Sequence, residues 1–157
     1  MIRKAELKDA PRVTEIYNHY VATTCYTFDV EPRPVSKFEE MISSGHPWLV
    51  FENEGVVAGF AYSNKWKEKY AYRFTHESTI YLEESCPGRG IGSQLYKKLF
   101  EVAKEQGLRS LVACIVLPHD QSVHFHEKLG FVKTAHFKEV GYKFDKWLDV
   151  GYWQLQL

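Results

Sequence analysis

Residues Ser78-Thr79-Ile80-Tyr81-Leu82 run into Cys86-Pro87-Gly88-Arg89-Gly90-Ile91-Gly92-Ser93, a strand-like stretch ending in three glycines at alternate positions. Glycine lets the backbone fold tightly, and successive N–H groups of such a turn point inward as an anion seat. A helix opened by the turn adds the partial positive charge of its N-terminus, so residues 88–93 suit a phosphate or pyrophosphate. Arg89 adds a side-chain cation. Two familiar nucleotide motifs do not fit. A Walker A loop requires Gly-Lys-Ser/Thr, whereas Gly92-Ser93 has no lysine, and the glycines of the dinucleotide fingerprint stand at other offsets. The competing reading is a glycine-rich strand-to-helix turn without a ligand. No metal is expected: Cys25, Cys86 and Cys114 contain no C-x-x-C pair, and His124 and His126, two apart on a helix, diverge.

The elements that must hold this turn follow from periodicity. Ile2–Leu7 reads as a strand; Asp9 and Pro11 then open a helix with Val13, Ile16, Tyr17 and Tyr20 at helical spacing. Val21–Pro34 reads as a long loop, the kind that forms lids or binding segments. Ser36-Lys37-Phe38-Glu39 is a capping box for a short helix ending near Gly45. Trp48–Glu52 and Val56–Ser63 are strands around the hairpin signal Asn53-Glu54-Gly55, and a third strand spans Arg73–Leu82. After the glycine turn comes a helix with Ile91, Leu95, Leu99 and Val102 inward and Gly107 as C-cap. Ser110–Leu117 reads as a fully buried strand, Ser122–Leu129 as a short helix, and Phe131–His136 and Val150–Leu157 as late strands. The sum is an α+β domain over residues 1–157: an antiparallel meander, a β-turn-α-β unit and a hairpin.

Composition sets the outer limits. The 157 residues are 45% hydrophobic and 25% charged, ordinary for one globular domain. Twenty Lys+Arg balance twenty Asp+Glu, so no global field draws the chain to nucleic acid or to an anionic membrane. The N-terminus lacks the apolar run of a signal peptide, and no stretch approaches the ~20 apolar residues of a membrane span. Three unpatterned cysteines suit a reducing compartment, so a cytoplasmic location is expected.

The glycine turn resembles the phosphate turn of the GNAT superfamily of N-acetyltransferases, whose pattern is Gln/Arg-x-x-Gly-x-Gly/Ala. Here it reads Pro87-Gly88-Arg89-Gly90-Ile91-Gly92, with Pro87 in place of the leading Gln/Arg. The chain is also similar throughout to one branch, the phosphinothricin and methionine sulfone/sulfoximine acetyltransferases. The matching segments include Ile16-Tyr17-Asn18-His19-Tyr20, Thr27-Phe28, Glu31-Pro32, Pro47-Trp48-Leu49-Val50 and Ala71-Tyr72-Arg73-Phe74-Thr75-His76-Glu77-Ser78. Gly92-Ser93-Gln94-Leu95-Tyr96, His126-Glu127 and Trp147-Leu148-Asp149-Val150-Gly151 continue the match. The resemblance implies the GNAT fold, a mixed, mostly antiparallel sheet splayed at the cofactor site and flanked by helices. It also implies acetyl-CoA as co-substrate, a small amino-acid analogue as acceptor, and a homodimer.

Roles follow residue by residue. The resemblance assigns Ile80, Tyr81 and Leu82 to the splayed strand that pairs with pantetheine, although an ordinary central strand would suit Ile80 and Leu82 equally. Gly88, Arg89, Gly90, Ile91, Gly92 and Ser93 are assigned to the pyrophosphate. His119 stands where the family usually has an asparagine that contacts the cofactor. Acetyl transfer from a thioester requires a neutral amine, a place for its proton, and a proton for the departing thiolate. Glu77, three residues before Ile80, matches the family's base; His126 matches the position of its acid, with a packing histidine as the even alternative. Arg73 and Thr75 alternate with Glu77 along a strand and offer a carboxylate clamp and a hydroxyl. Arg73, Phe74, Thr75 and Phe28 are therefore expected at the acceptor, with Trp66 and Tyr72 shaping its pocket. The expected function is N-acetylation of the α-amino group of phosphinothricin or methionine sulfone/sulfoximine. Acetylation of a peptide or polyamine, a non-catalytic CoA sensor, and nucleotide binding at the turn are the alternatives.

Overall fold

The computed structural model describes residues 1–86 and 90–157. Seven strands form one sheet: β1 (Ile2–Lys4), β2 (Trp48–Asn53), β3 (Val56–Lys65), β4 (Thr75–Leu82), β5 (Ser110–Leu117), β6 (Val132–Lys143) and β7 (Lys146–Gln156). Their order across the sheet is β1-β2-β3-β4-β5-β7-β6. All neighbours are antiparallel except β4 and β5. That parallel pair needs a crossover, and α3 (Ile91–Glu105) supplies it. Helices α1 (Ala10–Thr23), α2 (Val35–Ser43) and α4 (Asp120–Lys128) complete the α-helices among the described residues. None of the helices is long and apolar enough to cross a membrane.

Alternation along the strands gives each face of the sheet its own core. Val50, Phe60 and Tyr62 pack against Val13, Ile16 and Tyr17 of α1 and Phe38 of α2. On the opposite face Leu111, Ala113 and Trp153 meet Leu95, Tyr96 and Leu99 of α3. Full burial of each such large apolar side chain stabilises by roughly 1.5–3 kcal/mol.

The feature that positions the site is a parting in the sheet. β4 and β5 pair only at Thr75↔Ser110, His76↔Leu111 and Glu77↔Val112. Beyond Glu77, β4 continues on β3 to Leu82 and β5 continues on β7 to Leu117, without pairing to each other. The gap lies toward the carboxyl ends of the two parallel strands, the general place for ligands in α/β units.

Several boundaries differ from expectation. The third meander strand begins at Thr75, because Tyr70–Tyr72 form a 3-10 turn and Arg73 caps it with φ −57° and ψ −20°. The late strands are much longer than Phe131–His136 and Val150–Leu157. They meet at a turn where Phe144 and Asp145 both have positive φ. α1 runs to Thr23, so the long connection starts at residue 24.

Candidate active site

The gap between β4 and β5 opens into a cleft of about 780 Å³. Backbone alternation decides which groups face it. The carbonyl of Phe74 accepts from Arg109 and Ser110, at the root of β5, whereas that of Thr75 accepts from Trp66 and the Glu83 N–H donates to Ala58 on β3. Even-numbered residues of β4 thus direct main-chain groups toward β5, so Ser78 and Ile80 present N–H and C=O to the gap. The carbonyl of Leu82 is covered by the Tyr20 hydroxyl at 2.6 Å. Tyr81 spends its main chain on β3, and its ring lies against Tyr17 and Tyr20.

Side chains alternate the other way and divide the cleft into two walls. The wall under α1 holds Glu77, Thr79 and Tyr81 of β4, with Tyr17, Asp29, Arg33 and Tyr62. Glu77 is half-buried in the cleft wall, and this burial raises its pKa against the weaker pull of Lys67. Desolvation disfavours the charged carboxylate, so Glu77 is better at holding a proton than an ordinary glutamate. Cys114, across the gap, is open to the cleft, yet its surroundings and the Glu77 carboxylate push its thiol up to about 11.

The wall under α3 holds Ser78, Ile80, Gly92, Tyr96, Phe125 and His126. His126 is 4% exposed. Its Nδ1–H donates to the Ser122 carbonyl at 2.8 Å, which leaves Nε2 3.3 Å from the Tyr96 hydroxyl. That hydroxyl also lies 3.4 Å from Ser78 Oγ. Burial lowers the His126 pKa and raises that of Tyr96, so both rest neutral near pH 7. Gly92 has a packing reason for lacking a side chain: a Cβ there would stand 3.2 Å from the Phe125 ring and 3.6 Å from Ile80. Gly90 caps α3 in the left-handed region at φ +73°, Ser93 is half-buried, and the Ile91 side chain belongs to the core. Gly88 and Arg89 lie outside the described residues.

The 24–34 connection closes one side of the cleft. Tyr26 stacks on His119 with centroids 3.6 Å apart and planes within 2°, tying this connection to the start of α4. Tyr17 donates to Asp29, Arg33 donates to the same Asp29 oxygen, and Phe28 faces the cleft with its ring pressed on Gly141.

The structure therefore brings Glu77, Ile80, Tyr81, Leu82, Gly92, His119, His126 and Phe28 to one cleft. It does not bring Arg73, Phe74 or Thr75 there. Arg73 caps the 3-10 turn, and its exposed guanidinium lies 4.0 Å from the Tyr70 ring and 4.3 Å from the Phe74 ring. Phe74 is 45% exposed. Thr75 shares the Glu77 face of β4 but sits where β4 and β5 are still paired. Trp66 and Tyr72 pack edge-to-face on each other, outside the cleft lining. Nothing in the sequence pattern marks Asp29, Arg33, Tyr62 or Tyr96 as site residues; the long connection after α1 is the only signal that leads toward the first two.

Comparison with known proteins agrees with this geometry. Residues 2–151 match the model of the acetyltransferase (GNAT) domain. The chain is 42% identical to phosphinothricin N-acetyltransferase of Streptomyces viridochromogenes, over 98% of this chain and 85% of the relative. It is 37% identical to L-methionine sulfoximine/L-methionine sulfone acetyltransferase of Salmonella typhimurium, over 99% of this chain and 94% of the relative. The structure of yncA, an acetyltransferase from Salmonella typhimurium determined with acetyl-CoA, superposes with a TM-score of 0.96 at 34% identity, covering 100% of this chain and 93% of that one.

Proposed function

This chain belongs to the acetyltransferase (GNAT) family, and from that premise we propose that it transfers the acetyl group of acetyl-CoA to the α-amino group of a small amino-acid analogue of the phosphinothricin or methionine sulfone/sulfoximine type. The observation that carries this reading is the parting of β4 and β5, with a desolvated glutamate on one wall and a Tyr96–His126 pair on the other. Relatives named for these acceptors match the chain over nearly its whole length.

Each chemical step has a group suited to it. The thioester lies along the gap, where main-chain groups of Ser78 and Ile80 pair with pantetheine as a strand would, and N–H groups of the same edge stabilise the oxyanion. The amine approaches from the Glu77 wall. Glu77 takes its proton, directly or through water, and the raised pKa brings the base closer to the working pH. The tetrahedral intermediate then expels CoA thiolate on the α3 wall. A neutral His126 whose Nδ1–H is held by Ser122 can only accept at Nε2, so the single proton of the Tyr96 hydroxyl rests on that bond and must turn from Nε2 to the sulfur as the thiolate departs. A proton arriving on His126 reaches the sulfur through that hydroxyl. Cys114 remains a thiol at neutral pH, which favours direct transfer over an acetyl-cysteine intermediate.

The working unit is proposed to be a homodimer. Its support is the exposed aromatic row Phe137, Tyr142, Phe144 and Trp147 on the β6–β7 hairpin. Sedimentation equilibrium at micromolar protein should give twice the mass of the chain; a monomer mass would overturn this part.

CoA-thiol release from acetyl-CoA, measured at pH 7–8 over a panel of amines, tests the function. The panel holds phosphinothricin, methionine sulfone and sulfoximine, spermidine, an aminoglycoside and a short peptide. Saturable release with the amino-acid analogues is expected. Release with only another amine would keep the enzyme and overturn the acceptor class. Acetyl-CoA binding without any release would indicate a sensor.

A further inference from the structure

The cleft wall opposite the cofactor side contains a cation that the expected clamp at Arg73 does not supply. Among the described residues that line the cleft, Arg33 is the only lysine or arginine. It is held on three sides. Asn18 grips its main chain, accepting from the Arg33 N–H and donating to its carbonyl, each at 2.9 Å. The Arg33 Nε donates to Asp29, and the guanidinium carbon stands 4.8 Å from the Tyr17 ring centroid. Nη1 and Nη2 have no hydrogen-bond partner among the described residues, so two donors of a fixed fork remain for a ligand.

Charge and position agree with this. Asp29 lies between two cations, Arg33 and the buried Lys143, whose Nζ donates to the Thr27 carbonyl at 2.9 Å. Asp29 is thus shared between Arg33 and Lys143 rather than spent on Arg33 alone, although burial lowers the Lys143 pKa. Arg33, Tyr62 and Glu77 line the same cleft, and the Tyr62 hydroxyl is acted on by both opposite charges. A zwitterionic amino acid has its ammonium and carboxylate on a single carbon and needs such a dipolar wall.

We propose that Arg33, positioned by Asn18 and Asp29, binds the α-carboxylate of the acceptor and selects amino acids over other amines. The proposal rests on the acceptor class given above. A fork of two charge-assisted hydrogen bonds predicts a loss on the order of 30- to 300-fold in KM when it is removed.

The test compares L-methionine sulfone with its carboxamide at saturating acetyl-CoA, in wild type, Arg33→Gln and Arg33→Lys. The expected result is a large rise in KM for the acid in Arg33→Gln and a change within about threefold for the carboxamide, so that the preference for the acid disappears. Arg33→Lys should fall between, and KM for acetyl-CoA should hold in both, which also checks folding. Equal losses on acid and carboxamide would reduce Arg33 to a structural tie of the 24–34 connection and overturn the proposal. So would an unchanged acid KM. If wild type acetylates only spermidine or a peptide, the acceptor class itself fails and the Arg33 role falls with it.

Discussion

Acidification should destabilise this enzyme through one buried histidine at the root of the active-site strand. His76 precedes Glu77 on β4 and points to the other face, where it is 3% exposed and its Nδ1 shares a 3.0 Å hydrogen bond with Ser63 Oγ. Burial, the edge-on ring of His46 at 4.8 Å and the charge of Lys65 lower its pKa to about 4. The fold holds the neutral imidazole, so stability is complete above the unfolded value of 6.5 and is lost as pH falls from there toward 4. Linkage over that shift gives a loss of about 2 kcal/mol between pH 7.5 and pH 5. Solvent screening of the charges that act on the ring trims this toward about 1 kcal/mol. His76→Gln keeps a partner for Ser63 and removes the titration. Urea denaturation at both pH values should therefore show wild type losing about 1–2 kcal/mol more than the variant, or roughly 2–8 °C in Tm. The other histidines lowered by burial away from this contact, His119 and His126, contribute equally to both proteins and cancel. Parallel losses in the two proteins would refute the linkage, since no proton would then be excluded at His76.

Three further outcomes follow from named contacts. Gly141→Ala places a Cβ 2.1–2.8 Å from three atoms of the Phe28 ring, which must swing away; amine KM should rise severalfold while acetyl-CoA KM holds, measured by steady-state kinetics. Cys114→Ser should keep kcat within about threefold and show no acetyl-enzyme by intact-mass measurement, because a thiol pushed up to about 11 is not the acyl carrier. Tyr96→Phe removes the hydroxyl proposed to protonate the thiolate, so kcat should fall about tenfold or more with acetyl-CoA affinity retained, read by isothermal titration.

The architecture was legible where local pattern and burial coincide. Ser110–Leu117 is a strand inside the sheet as its apolar run predicts, although Cys114 is exposed to the cleft rather than buried, and the turn at Glu54 and Gly55 has the positive φ values that Asn53-Glu54-Gly55 predicts. The β6–β7 hairpin is much longer than its sequence indicates. Its tip is Phe144-Asp145, which lacks the usual Asn-Gly signal, and β6 is exposed along most of its length and broken by irregular register. Arg73 misleads for a related reason: alternation with Thr75 and Glu77 holds only in extended chain, and the 3-10 turn ends that at residue 73. Glu77 was accessible through the family resemblance, three residues before Ile80 on the same strand. Arg33 and Tyr96 were not, because one is oriented by Asn18 and Asp29 and the other by a helix packed against β4, contacts that no spacing rule encodes.

The most direct measurement of the central claim is the pH profile of kcat/KM for the preferred amino-acid analogue, in wild type and Glu77→Gln, at saturating acetyl-CoA. Wild type should show an acid limb with a midpoint above the ordinary glutamate range, because burial raises the Glu77 pKa and the carboxylate is the active form. Glu77→Gln should lose that limb and fall in kcat on the order of 10²- to 10³-fold, with acetyl-CoA binding retained. An unchanged limb and rate in the variant would contradict catalysis by Glu77 at the parting of β4 and β5.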